Sequence, residues 1–228
     1  MNEKMYRVED KYDCSLQTMY QLQQRLSGVL KADGNESTGE GYEVISLYFD
    51  DLTDDCLNDT TSGSDQRLKY RIRIYNNSLD RINLEVKEKR GSRVLKRVRF
   101  ITEQEMRDLM NGRCISASPS MEDPAFLFNL QIRTKGLRPK VIVAYERKAY
   151  VYAPGNVRIT FDRNIRASRR ITAFGSGKIP YDLPDGQNAV LEVKYDAFLP
   201  AFIRQLLEDG SLLQTAYSKY RICRERYQ

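Results

Sequence analysis

Residues 69–75, Lys69-Tyr70-Arg71-Ile72-Arg73-Ile74-Tyr75, place a cation at alternate positions and an apolar or aromatic residue between them. In a β-strand successive side chains leave on opposite faces, so this segment shows one charged face and one apolar face. The alternation recurs at Arg7-Val8-Glu9-Asp10-Lys11, Glu85-Val86-Lys87-Glu88-Lys89, Arg97-Val98-Arg99, Arg158-Ile159-Thr160-Phe161-Asp162 and Glu192-Val193-Lys194. One such strand is the edge of a solvated sheet. Several together, with basic residues dominating and a few acids interleaved, describe a surface that suits a polyanion, with carboxylates for a metal.

Outward from these segments the chain reads as one β-rich unit with helices at its margins. Strands are expected at 4–12, 44–49, 67–75, 81–89, 93–101, 140–152, 157–164 and 189–195. Turns at Asn76-Asn77 and Arg90-Gly91-Ser92 predict an antiparallel meander. Ser15 caps a helix to about Lys31, with Leu16, Met19, Leu22 and Leu26 at helical spacing. Thr102 and Glu105 form a capping-box pattern for a short helix to Met110. Further helices are expected near 124–131 and 200–208, with a helical or irregular piece at 215–227. Residues 32–41, 52–66 and 165–188 read as polar or glycine- and proline-rich loops. No repeat or composition break divides the 228 residues, so a single domain over 1–228 is expected.

These elements predict an α+β fold, mainly antiparallel β: an eight-stranded closed tunnel barrel with peripheral helices. A ring lined by unpaired cations would repel itself unless it held water and anions. The apolar faces of Ile72, Ile74, Leu84, Val86, Ile159, Phe161, Leu191 and Val193 need a cover. The amphipathic helices at 15–31 and 200–208 can supply it from outside. Charges inward is the arrangement this favours.

Composition narrows the chemistry. The net charge of +6 favours an anionic partner. The chain has no histidine, which excludes Ser-His-Asp and Cys-His catalysis and every His-ligated metal site. Cys14, Cys56, Cys114 and Cys223 form no Cys-x-x-Cys pair, so neither a zinc site nor a disulfide scaffold is expected. No apolar run is long enough for a signal peptide or a membrane span, and a cytoplasmic location is expected. Tyr70 points away from Arg71 and Arg73, so an aromatic and basic platform for nucleic acid is poorly formed and none is expected.

Seven short strings occur in an order that resembles a known family. They are Arg7-x-Glu9-x-Lys11-Tyr12, Ser46-Leu-Tyr48-Phe49-Asp50, Lys69-Tyr-Arg71-Ile-Arg73-Ile-Tyr75, Leu84-Glu85-Val-Lys87, Tyr145-Glu146-Arg147-Lys148, Leu191-Glu192-Val-Lys194-Tyr195 and Tyr217-Ser218-Lys219-Tyr220. The chain resembles the VTC domain, the polyphosphate-polymerase branch of the triphosphate tunnel metalloenzymes. The resemblance implies phosphate binding by Lys11, Arg71, Arg73, Lys87, Arg97, Arg147, Arg158, Lys194, Ser218 and Lys219, with Tyr145 beside the phosphates. It implies that Glu192 holds a divalent metal, Mn or Mg, with Glu85 and Glu9 as helpers, and that Arg71, Arg73, Lys87, Arg147 and Glu192 carry the reaction. The substrates implied are ATP or another triphosphate and inorganic polyphosphate. Coupling to translocation would need a membrane partner protein.

Such chemistry is reasonable without histidine. Phosphoryl transfer needs in-line positioning and neutralised non-bridging oxygens, which arginine forks, lysines and a hard metal supply. The sequence also departs from the pattern. Hydrolase and cyclase relatives begin Glu-x-Glu-x-Lys where this chain has Arg7-x-Glu9-x-Lys11, which argues toward the polymerase branch. Eukaryotic polymerases carry a lysine where this chain has Ala216, which points toward a binding module instead. Polymerase, triphosphatase and polyphosphate binder therefore remain. The bland rival for each pair, such as Glu85 with Lys87, is a cross-strand salt bridge worth ~0.2–1 kcal/mol.

Overall fold

The computed structural model describes residues 6–36, 39–182 and 188–227. Its strands are β1 (Arg7–Cys14), β2 (Lys31–Ala32), β3 (Tyr42–Asp50), β4 (Gln66–Tyr75), β5 (Ser78–Arg90), β6 (Arg93–Ile101), β7 (Arg138–Tyr152), β8 (Val157–Ser168), β9 (Ala189–Tyr195) and β10 (Leu213–Gln214). Its α-helices are α1 (Leu16–Ser27), α2 (Asp55–Thr61), α3 (Glu103–Met110), α4 (Pro124–Lys135), α5 (Ala201–Leu206) and α6 (Lys219–Glu225). The ring runs β1-β6-β5-β4-β3-β7-β8-β9 and returns to β1, antiparallel throughout. It is not evenly round. β1 pairs with β9 from Val8 opposite Tyr195 to Cys14 opposite Ala189, but meets β6 only at Arg7 and Val8. The short strands β2 and β10 add to β7 and β1.

Tight turns set the register. Asn76 and Asn77 have φ of 49° and 54°, the left-handed pair of a two-residue turn whose twist suits a hairpin. Between β5 and β6, Gly91 takes φ 55° and Arg90 faces Arg93. Because a strand alternates with period two, each such turn settles which residues of both strands face inward.

The apolar core lies outside the ring. Ile72, Ile74, Leu84 and Val86 are buried with Met106 and Leu109 of α3 and Phe128 and Ile132 of α4. On the other side, Ile159, Phe161, Leu191 and Val193 meet Met19, Leu22 and Leu26 of α1 and Ile203 of α5. Burying these side chains contributes about 1.5–3 kcal/mol each, and it obliges the charged faces to point inward. The caps form as the sequence predicts. Ser15 Oγ accepts from Thr18 N at 3.0 Å, and Thr102 and Glu105 close a capping box.

Some boundaries differ. Residues 52–66 contain α2, because the Asp50 carboxylate accepts from Cys56 N and Leu57 N at 2.9 and 3.0 Å and holds its first turn. Helix α1 ends at Ser27, before Gly28, and Lys31 joins the sheet as β2 instead of extending the helix. β8 runs on to Ser168, past the expected end at 164, because Ala167 and Ser168 pair with β7. The expected strand residues 4–5 and the loop residues 37–38 and 183–187 lie outside the described residues.

Candidate functional site

Three groups of inward side chains make the interior, each from neighbouring strands. The first is on β3, β4 and β5. Glu85, fully buried, receives Arg71 Nε and Nη2 on one oxygen at 2.7 and 2.6 Å and Lys96 of β6 on the other at 3.2 Å. Arg71 also donates to Tyr48 Oη at 3.0 Å. Arg73 is held by Ser46 Oγ and Tyr145 Oη, both at 3.1 Å. Burial raises the Glu85 carboxyl, but Arg71, Arg73 and Lys96 outweigh it and keep it far below the usual carboxylate range.

The second group joins β1, β9 and β5. Lys11 faces Glu192 across the ladder and Lys194 faces Glu9, so two lysines and two glutamates alternate in a square. Lys194 lies 2.9 Å from Glu192 and 3.5 Å from Glu9; Lys11 lies 3.3 Å from Glu9 and 3.6 Å from Glu192. Lys87 reaches over from β5 and donates to both Glu9 oxygens at 2.7 and 2.8 Å. Burial and the Glu192 charge push Glu9 up, yet Lys87, Lys194 and Lys11 hold it at about 2. Glu192, buried but faced by the same lysines, is likewise held well below its ordinary value.

The third group hangs on Asp162 of β8, a fully buried carboxylate. Arg147 of β7 grips both its oxygens at 2.6 and 2.7 Å, and Lys219 of α6 reaches it at 2.6 Å. Tyr145 lies under both cations, its ring centroid 5.2 Å from the Arg147 guanidinium and 4.8 Å from the Lys219 ammonium. The C-terminal segment thus enters the interior: Ser218 caps α6, and its hydroxyl accepts from Lys69 at 2.8 Å.

These groups enclose a basic tunnel. A mouth of about 90 Å³ is lined by Arg67, Lys69, Lys87, Lys89 and residues 215–218. It shares Lys11, Lys69, Lys87 and Ser218 with an inner chamber of about 70 Å³ that holds Arg71, Arg73, Arg147, Glu192 and Lys219. The chamber is narrow because its cations and carboxylates grip one another.

The VTC domain family model matches residues 6–227. The chain belongs to the VTC domain family. Among solved structures, a candidate adenylate cyclase from Bacillus halodurans shares the fold at a TM-score of 0.51 and 13% identity, over 85% of this chain and 82% of that one. The PH1819 protein of Pyrococcus horikoshii OT3 matches at a TM-score of 0.50 and 15% identity, over 96% and 98% of the two chains. No curated protein matches. A VTC domain belongs with the triphosphate-tunnel proteins of phosphoryl transfer, a family that generally uses divalent metals.

Within this VTC domain the structure brings together Lys11, Arg71, Arg73, Lys87, Tyr145, Arg147, Glu192, Lys194, Ser218 and Lys219. It does not bring in Arg97. With Arg90 opposite Arg93, Lys87 pairs with Lys96 and Val86 with Arg97, so Lys96 is inward and Arg97 outward. Arg97 sits on the outer face, bonded to Glu88 at 2.8 Å. Arg158 has the inward phase but stands at a rim, where Asp33 and Tyr42 engage it. Glu85 does not join the other two glutamates, since its oxygens are taken by Arg71 and Lys96.

Glu9 and Glu192 are the two glutamates that share one place. Lys87 takes both oxygens of Glu9, and Lys11 and Lys194 take those of Glu192, so a metal there would have to displace lysines. Both glutamates are held anionic, and Thr160, opposite Glu192, adds a buried hydroxyl with no partner among the described residues. An all-oxygen set of this size suits a hard divalent ion that keeps waters and takes phosphate oxygens. No cluster of three or more acidic, histidine or cysteine side chains is present among the described residues.

Asp162 and Lys96 join the three interior groups although none of the motifs singles them out as site residues. The inward phase of Lys96 follows from counting forward from the turn at Gly91. Asp162 carried a signal too, since it alternates in phase with Arg158 and Thr160. Among the described residues no helix is long and apolar enough to cross a membrane.

Proposed function

We propose that this chain transfers phosphoryl groups along a triphosphate or polyphosphate held in the tunnel, and that its reaction is the growth of inorganic polyphosphate from ATP. The observation that carries this is the run of cations, interleaved with Glu9 and Glu192, from the mouth through Lys11, Lys69 and Lys87 to Arg71, Arg73 and Arg147. Linear phosphate chains present charge at every unit, and a lining of forks and point charges along one path matches that spacing.

The residues divide the work. Arg71, Arg73 and Arg147 are preset by Glu85, Ser46 and Asp162, so their donors are fixed before substrate arrives. Lys11, Lys87 and Lys194 are already stripped of most water and turn from carboxylates to phosphate oxygens. A terminal oxygen of the acceptor chain attacks the γ-phosphorus, the bond to the β-bridging oxygen breaks, and ADP leaves with that electron pair. Glu9 and Glu192 would hold a divalent ion, Mn or Mg, which when bound neutralises charge on the non-bridging oxygens. No protein nucleophile is needed. The setting we propose is cytoplasmic, with ATP as donor.

The test is incubation of the purified protein with ATP, Mn and a pyrophosphate primer, with products resolved on a gel and free phosphate assayed in parallel. Chain growth that disappears in Arg71→Ala and Glu192→Ala supports the polymerase. Phosphate release without growth makes the chain a triphosphatase, with water as acceptor. Neither product, with polyphosphate still bound, makes it a binding module.

A further inference from the structure

Lys69 differs from the other cations of the inner chamber in what meets its charge. Arg71 and Lys87 are answered by Glu85 and Glu9 at 2.6 and 2.7 Å, and Arg147 and Lys219 by Asp162 at 2.6 Å each. Lys69 Nζ instead donates to Ser218 Oγ at 2.8 Å and lies 5.9 Å from the Tyr220 ring centroid. Among the described residues no carboxylate reaches it at ion-pair distance.

The groups facing it are Lys11 from β1, Lys87 from β5, Arg67 from its own strand and the Cys56 thiol from α2. Burial, reinforced by Lys11, Lys87 and Arg67, pushes its ammonium well below the usual lysine range. A desolvated cation with like charges around it and no counter-charge costs stability. Polar surroundings do not explain its retention, because a hydroxyl and a ring face recover only part of that cost. The position does explain it: Lys69 stands where the mouth and the inner chamber meet.

We infer that Lys69 is an anchoring cation for one phosphate group of the bound polyanion, aimed by Ser218 at the junction of mouth and chamber. An ammonium has three donors. One is spent on Ser218, which leaves two for phosphate oxygens, and the missing counter-charge comes from the ligand. The inference rests on the polyanion reading of the tunnel, and the alternative is that Lys69 merely steadies the cap of α6.

The two separate in an experiment with inorganic tripolyphosphate alone, without metal. Binding is measured by calorimetry, and the melting temperature with and without ligand, for wild type, Lys69→Met and Lys69→Arg. Anchoring predicts that Lys69→Met weakens binding about tenfold or more, while Lys69→Arg keeps most of the affinity. It also predicts that ligand-free Lys69→Met melts no lower than wild type, because an uncompensated charge has gone. Unchanged affinity in Lys69→Met overturns the inference, as does a lower ligand-free melting temperature together with failure of Lys69→Arg to restore binding. If wild type itself ignores tripolyphosphate, the polyanion reading fails first; if wild type binds and Lys69→Met binds equally, only the role of Lys69 fails.

Discussion

Asp162 is the residue whose loss should be felt most. It has no contact with water and is shared by Arg147 and Lys219, so Asp162→Ala strands two buried cations. Removing one partner of a buried pair costs about 3–5 kcal/mol, and urea denaturation should show a loss of that size. Its protonation sets an acid limit as well. Burial raises the Asp162 carboxyl, but Arg147 and Lys219 bring it down to about 2, and Glu9 is held at about 2 by its lysines. A carboxyl depressed in the folded state stabilises fully above its unfolded value and stops doing so as pH falls through the folded value. Melting temperature should therefore hold above the ordinary carboxylate range near pH 4 and fall steeply toward about pH 2. Glu9→Gln should remove part of that slope; an unchanged acid limb would contradict the pairing.

At the scale of the element, the hairpin between β5 and β6 decides which cations face inward. The sequence Lys96-Arg97-Val98-Arg99 offers two phases, and the charged one by inspection is Arg97 with Arg99. The two-residue turn after Arg90 selects the other. Lys96→Ala should weaken tripolyphosphate binding severalfold, while Arg97→Ala should leave it near wild type and act on the outer face beside Glu88; calorimetry on both variants decides. Helices α1 and α3 were legible in the sequence, because a cap is a local device. Ser15→Ala should cost about 1 kcal/mol, seen as a shift in the urea midpoint. Helix α2 was hard to read for the converse reason: its first turn is held by Asp50, on a strand it packs against, rather than by a capping side chain of its own.

For the molecule as a whole, the interior is a set of ion pairs, whose cations a bound polyanion would take over from the carboxylates. A polyanion that binds only the folded ring should raise the melting temperature, by the equivalent of about 2.7 kcal/mol at a ligand concentration a hundred times its dissociation constant. Added salt should erode that shift, because the tunnel cations are attracted to the ligand chiefly by charge. A scan of melting temperature against tripolyphosphate at low and high salt tests both statements.

What the sequence by itself determined is the strands, their two faces, the capped helices and the direction of the charge. Period-two alternation, turn residues and caps act between neighbours in the chain, and the apolar faces matched to amphipathic helices leave the charges only the inside. Most of the residues that the structure gathers in the chamber were named through the family resemblance, and Lys11, Arg71, Arg73, Lys87, Glu192 and Lys194 also lie on alternating strands. Only the tertiary structure decided who pairs with whom: Glu85 with Arg71 and Lys96, Glu9 with Lys87, Asp162 with Arg147 and Lys219, and Lys69 with no acid among the described residues. Those pairings join strands and a helix far apart in the chain. Their energies depend on distance and burial inside the closed ring, which no local pattern contains.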